Sequence, residues 1–214
     1  MNKQLMWWSG KNGVKYSERC FQNILELEKD YINKYGVSRS QMFTEFFIKS
    51  GIAFSSKLLE VGCNLGLQSA LLSKIGYTNI TAIDVNDEVL SKAQTKFPQI
   101  KFAGTDGETL PFATNAFDVI FHSGVFIHQN EDNLDKLVDE IYRCSKRYIV
   151  FFEYWSKNRK EIEYRKERSL MWADDFCRRY KRKYENLLVK KEKLYLFENN
   201  PHKRTQFCLL EKIK

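Results

Sequence analysis

The chain has 214 residues, of which 43% are hydrophobic, so it can bury the core of one ordinary domain. It contains no run of about 18 apolar residues, which excludes a transmembrane helix, and its opening, MNKQLMWWSGKNG, lacks the apolar run of a secretory signal. Five cysteines without a close pair and three histidines without metal-ligand spacing predict a reduced, cytoplasmic protein with no metal site.

The net charge of +8 is unevenly distributed. Residues 156–214 hold 18 Lys and Arg against 9 Asp and Glu, whereas residues 1–155 hold 17 against 18. A basic end of this kind fits an anionic substrate or nucleic acid. A solvated basic helix is the alternative.

The first 50 residues predict a helical N-terminal extension. Residues 17–34 have apolar side chains at helical spacing. Ser38 followed by Gln41 predicts a capping box at the start of a second helix. The side chains expected to face inward from that helix are Met42, Phe43, Phe46 and Phe47.

From residue 57 short apolar strands alternate with amphipathic helices. The predicted strands are Lys57–Val61, Ile80–Asp84, Ile100–Ala103, Phe117–His122 and Tyr148–Glu153. The predicted helices are Gly66–Ile75, Asp87–Thr95 and Glu131–Cys144, with Asn130 as the N-cap of the last. This alternation predicts an α/β fold, with a mostly parallel sheet between helices on both faces.

After this core, residues 57–153, the sequence predicts an acceptor-side insertion at 154–186 and a closing hairpin at 187–214. The insertion contains a predicted helix, Leu170–Tyr184. The hairpin strands, Leu187–Phe197 and Thr205–Ile213, are close enough in sequence to pair antiparallel. We therefore expect residues 1–214 to form a single domain with a seven-stranded sheet and an antiparallel final strand.

The stretch LEVGCNLGLQ places Gly62 and Gly66 directly after the first predicted strand. Ligands of open α/β sheets bind beyond the carboxyl ends of the strands, and amides at a helix N-terminus favour an anionic group. A dinucleotide fingerprint needs further glycines where this chain has Asn64 and Leu67. The spacing therefore fits a ligand with a carboxylate and an adenosine but no phosphate. Since Asn tolerates positive φ, we expect Asn64 to have φ above zero.

Acidic residues follow the next two strands. Asp84 ends the second strand, 22 residues after Gly62, where a carboxylate can accept hydrogen bonds from both hydroxyls of a ribose. Asp106, in GTDGETLPF, follows the third strand and can accept from the exocyclic amine of adenine. Each acid alone can equally be a cap or a turn residue. At successive strand ends they together indicate an adenosine site.

The motifs LLEVGCNLG, AIDVN, GTDGETLPF and NAFDVIFHSGVFIH resemble those of the class I S-adenosylmethionine-dependent methyltransferases. The resemblance covers residues 57–153. It implies a Rossmann-like fold, S-adenosyl-L-methionine as cofactor and the glycine loop under its methionine part. It also implies Asp84 at the ribose and Asp106 with Gly107 at the adenine.

A narrower likeness lies in the flanks. The segments WWSGKNGVKYSERC, GVFIHQNEDNL, RCSKRYIVFFEYW, EIEYR, DDF and FCLLEK resemble methyltransferases associated with pseudaminic acid biosynthesis. The chain departs from that group at Lys166 and Glu167, where the group tends to have glycine and histidine. It also has Gln206 where the group tends to have tryptophan. The cofactor assignment survives these departures, whereas the identity of the substrate stays open.

Methyl transfer from a sulfonium is an in-line displacement, so alignment of the nucleophile supplies much of the rate. A base is needed only for a hydroxyl or a protonated amine. We predict His128 and Glu153 as catalytic residues. The alternatives are that His128 braces its loop and that Glu153 bonds to neighbouring backbone. Further predicted cofactor residues are Glu60 and His122, and predicted acceptor residues are Ser123, Tyr154, Tyr164 and Arg165.

In the N-terminal extension, Tyr16 and Arg19 are expected to belong to a lid that excludes water from the cofactor. Arg19 would pair with the methionine carboxylate, and a solvated Arg19 on an amphipathic helix is the alternative. The leading functional hypothesis is methylation of a small-molecule or carbohydrate-type acceptor, a sugar or sugar nucleotide, at oxygen or nitrogen.

Two other functions remain open. RRYKRKYENLLVKK could form the RNA-binding surface of an RNA methyltransferase, although nucleic acid is the less expected partner because no recognised RNA-binding module is present. The chain could also be a cofactor-binding partner protein without catalysis. The absence of an Asn-Pro-Pro-aromatic motif argues against adenine-N6 and glutamine-amide methylation. The oligomeric state is not predictable from these patterns.

Overall fold

The computed structural model describes residues 3–213, with two compact units, Met1–Gly107 and Glu108–Lys214. The first unit begins with the helices α1 (Lys3–Ser9), α2 (Lys11–Arg19), α3 (Ile24–Tyr35) and α4 (Arg39–Phe43), followed by a π-helical turn, Thr44–Ile48. The single predicted helical stretch over 17–34 is therefore wrong.

The chain leaves α2 at Cys20, whose backbone is extended, and restarts at Asn23, whose side chain accepts from the Glu26 N–H at 3.0 Å. This cap bond gives the Glu26 N–H an acceptor at the start of a new helix, in place of the carbonyl that a continuous helix would provide. The predicted capping box is confirmed, since Gln41 N donates to Ser38 Oγ and Ser38 N donates to Gln41 Oε1. The four predicted inward side chains of this segment are all buried.

The rest of the first unit alternates strands and helices as predicted. Its elements are β1 (Leu58–Val61), α5 (Leu67–Ile75), β2 (Ile80–Asp84), α6 (Asp87–Lys96) and β3 (Lys101–Gly104). The three strands are parallel, with Val61 opposite Ile83 and Asp84 opposite Gly104. Their carboxyl ends therefore meet at one edge, which brings together the loops that follow them.

The second unit contains six longer elements and two short strands. They are β4 (Phe117–Ser123), α7 (Glu131–Cys144), β5 (Ser145–Tyr154), β6 (Lys160–Glu161), β7 (Trp172–Ala173), α8 (Phe176–Lys183), β8 (Leu187–Phe197) and β9 (Asn200–Lys212), with a 3₁₀ turn at Phe126–His128. Strand β4 is parallel to β5, and β9 is antiparallel to both β5 and β8.

The predicted helix Leu170–Tyr184 is wrong in its first turns. Trp172–Ala173 instead pairs antiparallel with Lys160–Glu161. The helix starts only at Phe176, because the side chain of Asp175 caps it by accepting from Arg178 N at 3.0 Å. A cap residue ends the extended segment and starts the helix at that point.

The seven main strands are arranged in the order β3-β2-β1-β4-β5-β9-β8, while β6 and β7 form a separate pair. The predicted seven-stranded, mostly parallel α/β sheet with antiparallel β9 is thus confirmed. Among residues 3–213, no helix is long and apolar enough to cross a membrane.

Candidate functional site

The loop between β1 and α5 turns through three residues with positive φ, Gly62 at 70°, Asn64 at 49° and Gly66 at 70°. The predicted positive φ of Asn64 is confirmed. At Gly66 a Cβ atom would lie 2.6 Å from the Phe102 ring, so this position has no room for a side chain. The backbone N–H groups of Gly62 and Cys63 both donate to the carbonyl of Ile83.

The half-buried carboxylate of Asp84 holds this loop. Its Oδ2 accepts from Asn64 N at 2.8 Å, and its Oδ1 accepts from Asn86 N at 3.1 Å. Burial raises the pKa of Asp84, and hydrogen bonds from neighbouring backbone N–H groups oppose the rise. Since a carboxylate has about four lone-pair sites, Asp84 retains capacity to accept from a ribose hydroxyl beside its backbone donors. The position and the accepting capacity of this carboxylate therefore fit the nucleoside that the sequence predicts.

Glu60 is buried in β1, and its side chain reaches Ser69 in the first turn of α5. Its carboxylate accepts from the hydroxyl and the backbone N–H of Ser69. Burial raises the pKa of Glu60 to about 7, whereas the positive charge of Arg39 lowers it. Contact of Glu60 with a cofactor stays a prediction.

The loop after β3 carries Asp106, which is exposed, and Gly107, with φ of 74°. A Cβ atom at Gly107 would lie 2.4 Å from Leu5 Cδ2 and 2.8 Å from Val85 Cγ1. Only glycine fits there, because α1 packs directly against this loop. Hydrogen bonding of Asp106 to an adenine stays a prediction.

Helices α1 and α2 contact all three strand-end loops. Leu5 packs on Gly107 as described, and the Asn86 side chain donates to backbone carbonyls of the N-terminal segment. Cys20, just after α2, has a side-chain hydrogen bond with Asn64. Tyr16 is half-buried and packs edge-on against Trp8, with ring centroids 5.1 Å apart.

Arg19, the last residue of α2, is exposed. Its predicted pairing with the carboxylate of the cofactor stays a prediction. The position of α2 against the glycine loop, through Cys20 and Asn64, is compatible with that role. This contact would hold the predicted lid against the first unit.

In the second unit, Glu153 is buried at the end of β5 and its carboxylate is surrounded by donors. Oε1 lies 2.8 Å from His122 Nδ1 and accepts from Val125 N at 2.9 Å and Phe126 N at 3.2 Å. Oε2 accepts from Ile127 N at 3.3 Å. Because protein donors contact both oxygens, the structure favours the backbone-bonding alternative, and a catalytic role of Glu153 stays a prediction.

His122 is buried between two aromatic rings, 3.9 Å from Phe126 and 5.5 Å from Phe151 between centroids. Its Nε2 has no hydrogen-bond partner among residues 3–213. The bond between Nδ1 and Glu153 fixes the ring in the core of this unit. Its predicted contact with the cofactor stays a prediction.

His128 is buried in the 3₁₀ turn, with Nδ1 2.8 Å from the carbonyl of Leu170. Because a carbonyl only accepts, Nδ1 carries the proton and Nε2 of the neutral ring keeps its lone pair. Burial lowers the pKa of His128 to about 4. The imidazole is therefore neutral at pH 7 and is a weak base, which favours orienting an acceptor over deprotonating it.

The structure brings His128 together with two of the predicted acceptor residues. The rings of His128 and Tyr164 meet edge-on at 5.4 Å, and the exposed guanidinium of Arg165 lies 5.9 Å from the Tyr164 ring. Ser123 and Tyr154 are half-buried at the ends of β4 and β5. Among residues 3–213 no group of His, Cys, Asp and Glu side chains could hold a metal ion.

Two residues that the sequence analysis missed support the first unit's site. Arg39 is fully buried and donates from Nε to Gln68 Oε1 at 2.8 Å. No sequence signal distinguishes it from a solvated arginine. Asn86 precedes the acidic pair at 87–88, a recognisable helix-cap pattern, but its contacts with the N-terminal segment are visible only in the structure.

Residues 59–151 match the family model described as "Methyltransferase domain". A ubiquinone/menaquinone biosynthesis C-methyltransferase of Rickettsia typhi is 33% identical over 155 residues, which cover 64% of this chain and 61% of that protein. A sterol 24-C-methyltransferase of Pneumocystis carinii is 27% identical over 175 residues, 68% of this chain and 46% of that protein. The chain spans between 36% and 61% of the length of such curated relatives.

The crystal structure of magnesium protoporphyrin IX methyltransferase from Synechocystis with bound SAM superposes with a TM-score of 0.72. The match covers 100% of this chain and 99% of that chain at 10% sequence identity, so it shows a shared fold. Residues 59–151 are thus similar to the methyltransferase domain family, and the chain shares its fold with that solved methyltransferase.

Proposed function

We propose that the protein binds S-adenosyl-L-methionine at the loops after β1, β2 and β3 and transfers its methyl group to a small-molecule acceptor. The observation that carries this proposal is the half-buried carboxylate of Asp84. It is fixed by the N–H groups of Asn64 and Asn86 at the edge where the parallel strands end. A carboxylate fixed in this way can accept from a ribose without reorganising.

The chain's own residues would bind the nucleoside, orient it and exclude water. When bound, the cofactor supplies an electrophilic methyl group for in-line displacement. The contacts of the N-terminal segment with the three loops support its role as a cover, and exclusion of water would strengthen the electrostatic interactions inside. Neutral His128, whose ring lies beside Tyr164, would help to orient the acceptor and so align its nucleophile.

The acceptor we propose is a polar, anionic molecule of carbohydrate type, methylated at oxygen or nitrogen. The names of the relatives refer to quinones and sterols, which are apolar molecules. Residues 155–204 of this chain instead carry three arginine–aromatic pairs, with guanidinium-to-ring distances of 5.1–5.9 Å. These pairs are Arg159 with Trp172, Arg165 with Tyr164 and Arg204 with Trp155. Arg159 is paired with Glu131 and Asp174, whereas the exposed guanidinium groups of Arg165 and Arg204 are well suited to a carboxylate or phosphate.

The RNA alternative loses support from α8. Arg179 in this helix pairs with Glu131, Asp135 and Asp174, and Lys183 pairs with Asp139. The basic side chains that this alternative requires are therefore partly neutralised by acids of the same unit. The narrower likeness to the pseudaminic acid-associated group agrees with a carbohydrate acceptor.

Calorimetry with S-adenosylhomocysteine, the product form of the cofactor, tests cofactor binding. Asp84→Ala should weaken binding at least tenfold, since each lost charge-assisted hydrogen bond contributes roughly 1.5–3 kcal/mol. Glu88→Ala, which removes an exposed carboxylate of α6, serves as control and should leave affinity unchanged. A wild-type protein that does not bind, or an unchanged affinity in Asp84→Ala, would contradict the proposal.

A transfer assay that measures S-adenosylhomocysteine release tests the acceptor. Anionic sugars and sugar nucleotides should be methylated, and Arg165→Gln should lower kcat/KM for them more than for a neutral sugar. Exclusive activity on a quinone, or on RNA with affinity that falls steeply with salt, would overturn the carbohydrate assignment and leave the cofactor assignment intact.

A further inference from the structure

We propose that Asn86 is a positioning residue that fastens the N-terminal helices over the cofactor site. This inference rests on the proposed function, since it concerns the same three loops. Asn86 lies two residues after Asp84 and is buried, with 3% of its surface exposed. It is neither a predicted site residue nor a candidate for direct contact with the cofactor.

The two ends of the Asn86 side chain bond to different parts of the first unit. Nδ2 donates to the carbonyls of Trp8 at 2.9 Å and Gly10 at 3.1 Å. Oδ1 accepts from Val89 N at 3.2 Å and so caps α6. The amide orientation follows from these partners, because a carbonyl only accepts and a backbone N–H only donates.

The carbonyls that Asn86 binds lie where α1 ends and α2 begins. Carbonyls at the end of a helix lack partners within it and need donors from elsewhere. Asn86 supplies such a donor to Trp8 in the last turn of α1, and the same NH₂ group bonds to the carbonyl of Gly10, the N-cap of α2, which also accepts from Gly13 N and Val14 N. The junction is also tight, since a Cβ atom at Gly13 would lie 1.9 Å from the Trp8 carbonyl oxygen and 2.8 Å from Asn86 Nδ2.

Through its backbone, Asn86 also belongs to the ribose side of the site. Its N–H donates to Asp84 Oδ1, whose other oxygen holds the glycine loop through Asn64. Asn86 therefore joins the carboxylate expected at the ribose to the helices that cover it. Movement of α1 and α2 away from the loops has to break both Nδ2 bonds. We infer that Asn86 sets how often the cover opens and thereby how fast the cofactor leaves.

Substitutions of Asn86 can separate its two roles, the cap of α6 and the bonds to the N-terminal segment. Asn86→Ser keeps an oxygen that can cap α6, because Ser is a good N-cap residue, but it removes the donor to the N-terminal segment. Asn86→Asp also keeps the cap and places a carboxylate against the two carbonyls, which should loosen α1 and α2 further. Asn130→Ser is the matched control, because Asn130 caps α7 by the same bond to Asn133 N at 2.9 Å.

Hydrogen exchange of the protein without ligand is the first measurement. Amides of residues 3–19 should exchange about tenfold faster in Asn86→Ser than in wild type, because two neutral hydrogen bonds are lost. Exchange in α6 should stay as in wild type, and Asn130→Ser should leave residues 3–19 unchanged. Unchanged exchange of residues 3–19 in both Asn86 variants would overturn the inference.

Stopped-flow dissociation of S-adenosylhomocysteine is the second measurement. Release should be about tenfold faster from Asn86→Ser and faster still from Asn86→Asp. Equal release rates in wild type and both variants would also overturn the inference. If the wild-type protein binds no S-adenosylhomocysteine, the proposed function fails instead, and the exchange experiment separates the two cases because it needs no ligand.

Discussion

The backbone N–H of Asn64 donates to Asp84 Oδ2 over 2.8 Å, so the residue that ends β2 fixes the turn that follows β1. This one bond links the loop expected under the methionine part of the cofactor to the carboxylate expected at its ribose. It also means that the glycine loop and the ribose-side carboxylate are not independent, and a substitution at either position should affect both.

The left-handed backbone of Asn64, with φ of 49°, makes this position sensitive to side-chain shape. Asn64→Gly should be tolerated, whereas Asn64→Val should lower the free energy of unfolding by about 1–3 kcal/mol because a β-branched side chain clashes at positive φ. Urea denaturation measures the change, and calorimetry should show weaker binding of S-adenosylhomocysteine. Asn115→Val, at φ of 57° in the second unit, should lower stability without the loss of affinity. An Asn64→Val protein as stable as wild type would show that a β-branched side chain is not strained at this position.

Glu60 should make stability depend on pH. Its folded pKa of about 7 lies above its unfolded value near 4.3, so the folded state binds the extra proton between these pH values. Stability is therefore highest below about pH 4.3 for this group and falls by about 3 kcal/mol as the pH rises to about 7. Glu60→Gln should flatten this slope in denaturation series between pH 5 and 7.5. A Glu60→Gln series with the wild-type slope would contradict the assignment.

Glu153 should act through structure, because it accepts from His122 and three backbone N–H groups. Glu153→Gln places an NH₂ group among these donors and should lower the free energy of unfolding by about 1–3 kcal/mol. Glu88→Gln, at an exposed position on α6, should change it by less than about 0.5 kcal/mol. A Glu153→Gln protein of wild-type stability, with turnover reduced about 10²–10⁴-fold, would support the catalytic role.

The turn at 164–167 contains two non-glycine residues with positive φ, Arg165 at 56° and Lys166 at 66°. Backbone bonds between Tyr164 and Glu167 in both directions close it. Lys166→Gly should raise the free energy of unfolding by up to about 1 kcal/mol, since relief of the left-handed strain exceeds the added entropy of the unfolded chain. A lower denaturation midpoint would show that the turn is not strained.

Much of the fold follows from local patterns. The strands Ile80–Asp84 and Leu187–Phe197 and the helix Glu131–Cys144 have the predicted boundaries, because hydrophobic periodicity and cap residues act over a few positions. Local patterns predicted the wrong helix boundaries where a cap residue lies within a run of apolar side chains at helical spacing. Asn23 starts α3 within a predicted continuous helix, and Asp175 delays α8.

The sequence by itself determined the residues whose role depends on their own backbone or place in a strand. Asn64 has positive φ because of its residue type and its turn, and Asp84 lies at a strand end because the apolar run stops there. Only the tertiary structure decided which donors meet a given acceptor. Glu153 meets His122 from 31 residues away, and Asn86 meets Trp8 from 78 residues away. No periodicity spans such separations, since these hydrogen bonds form only after packing has brought the segments together and removed water from around them.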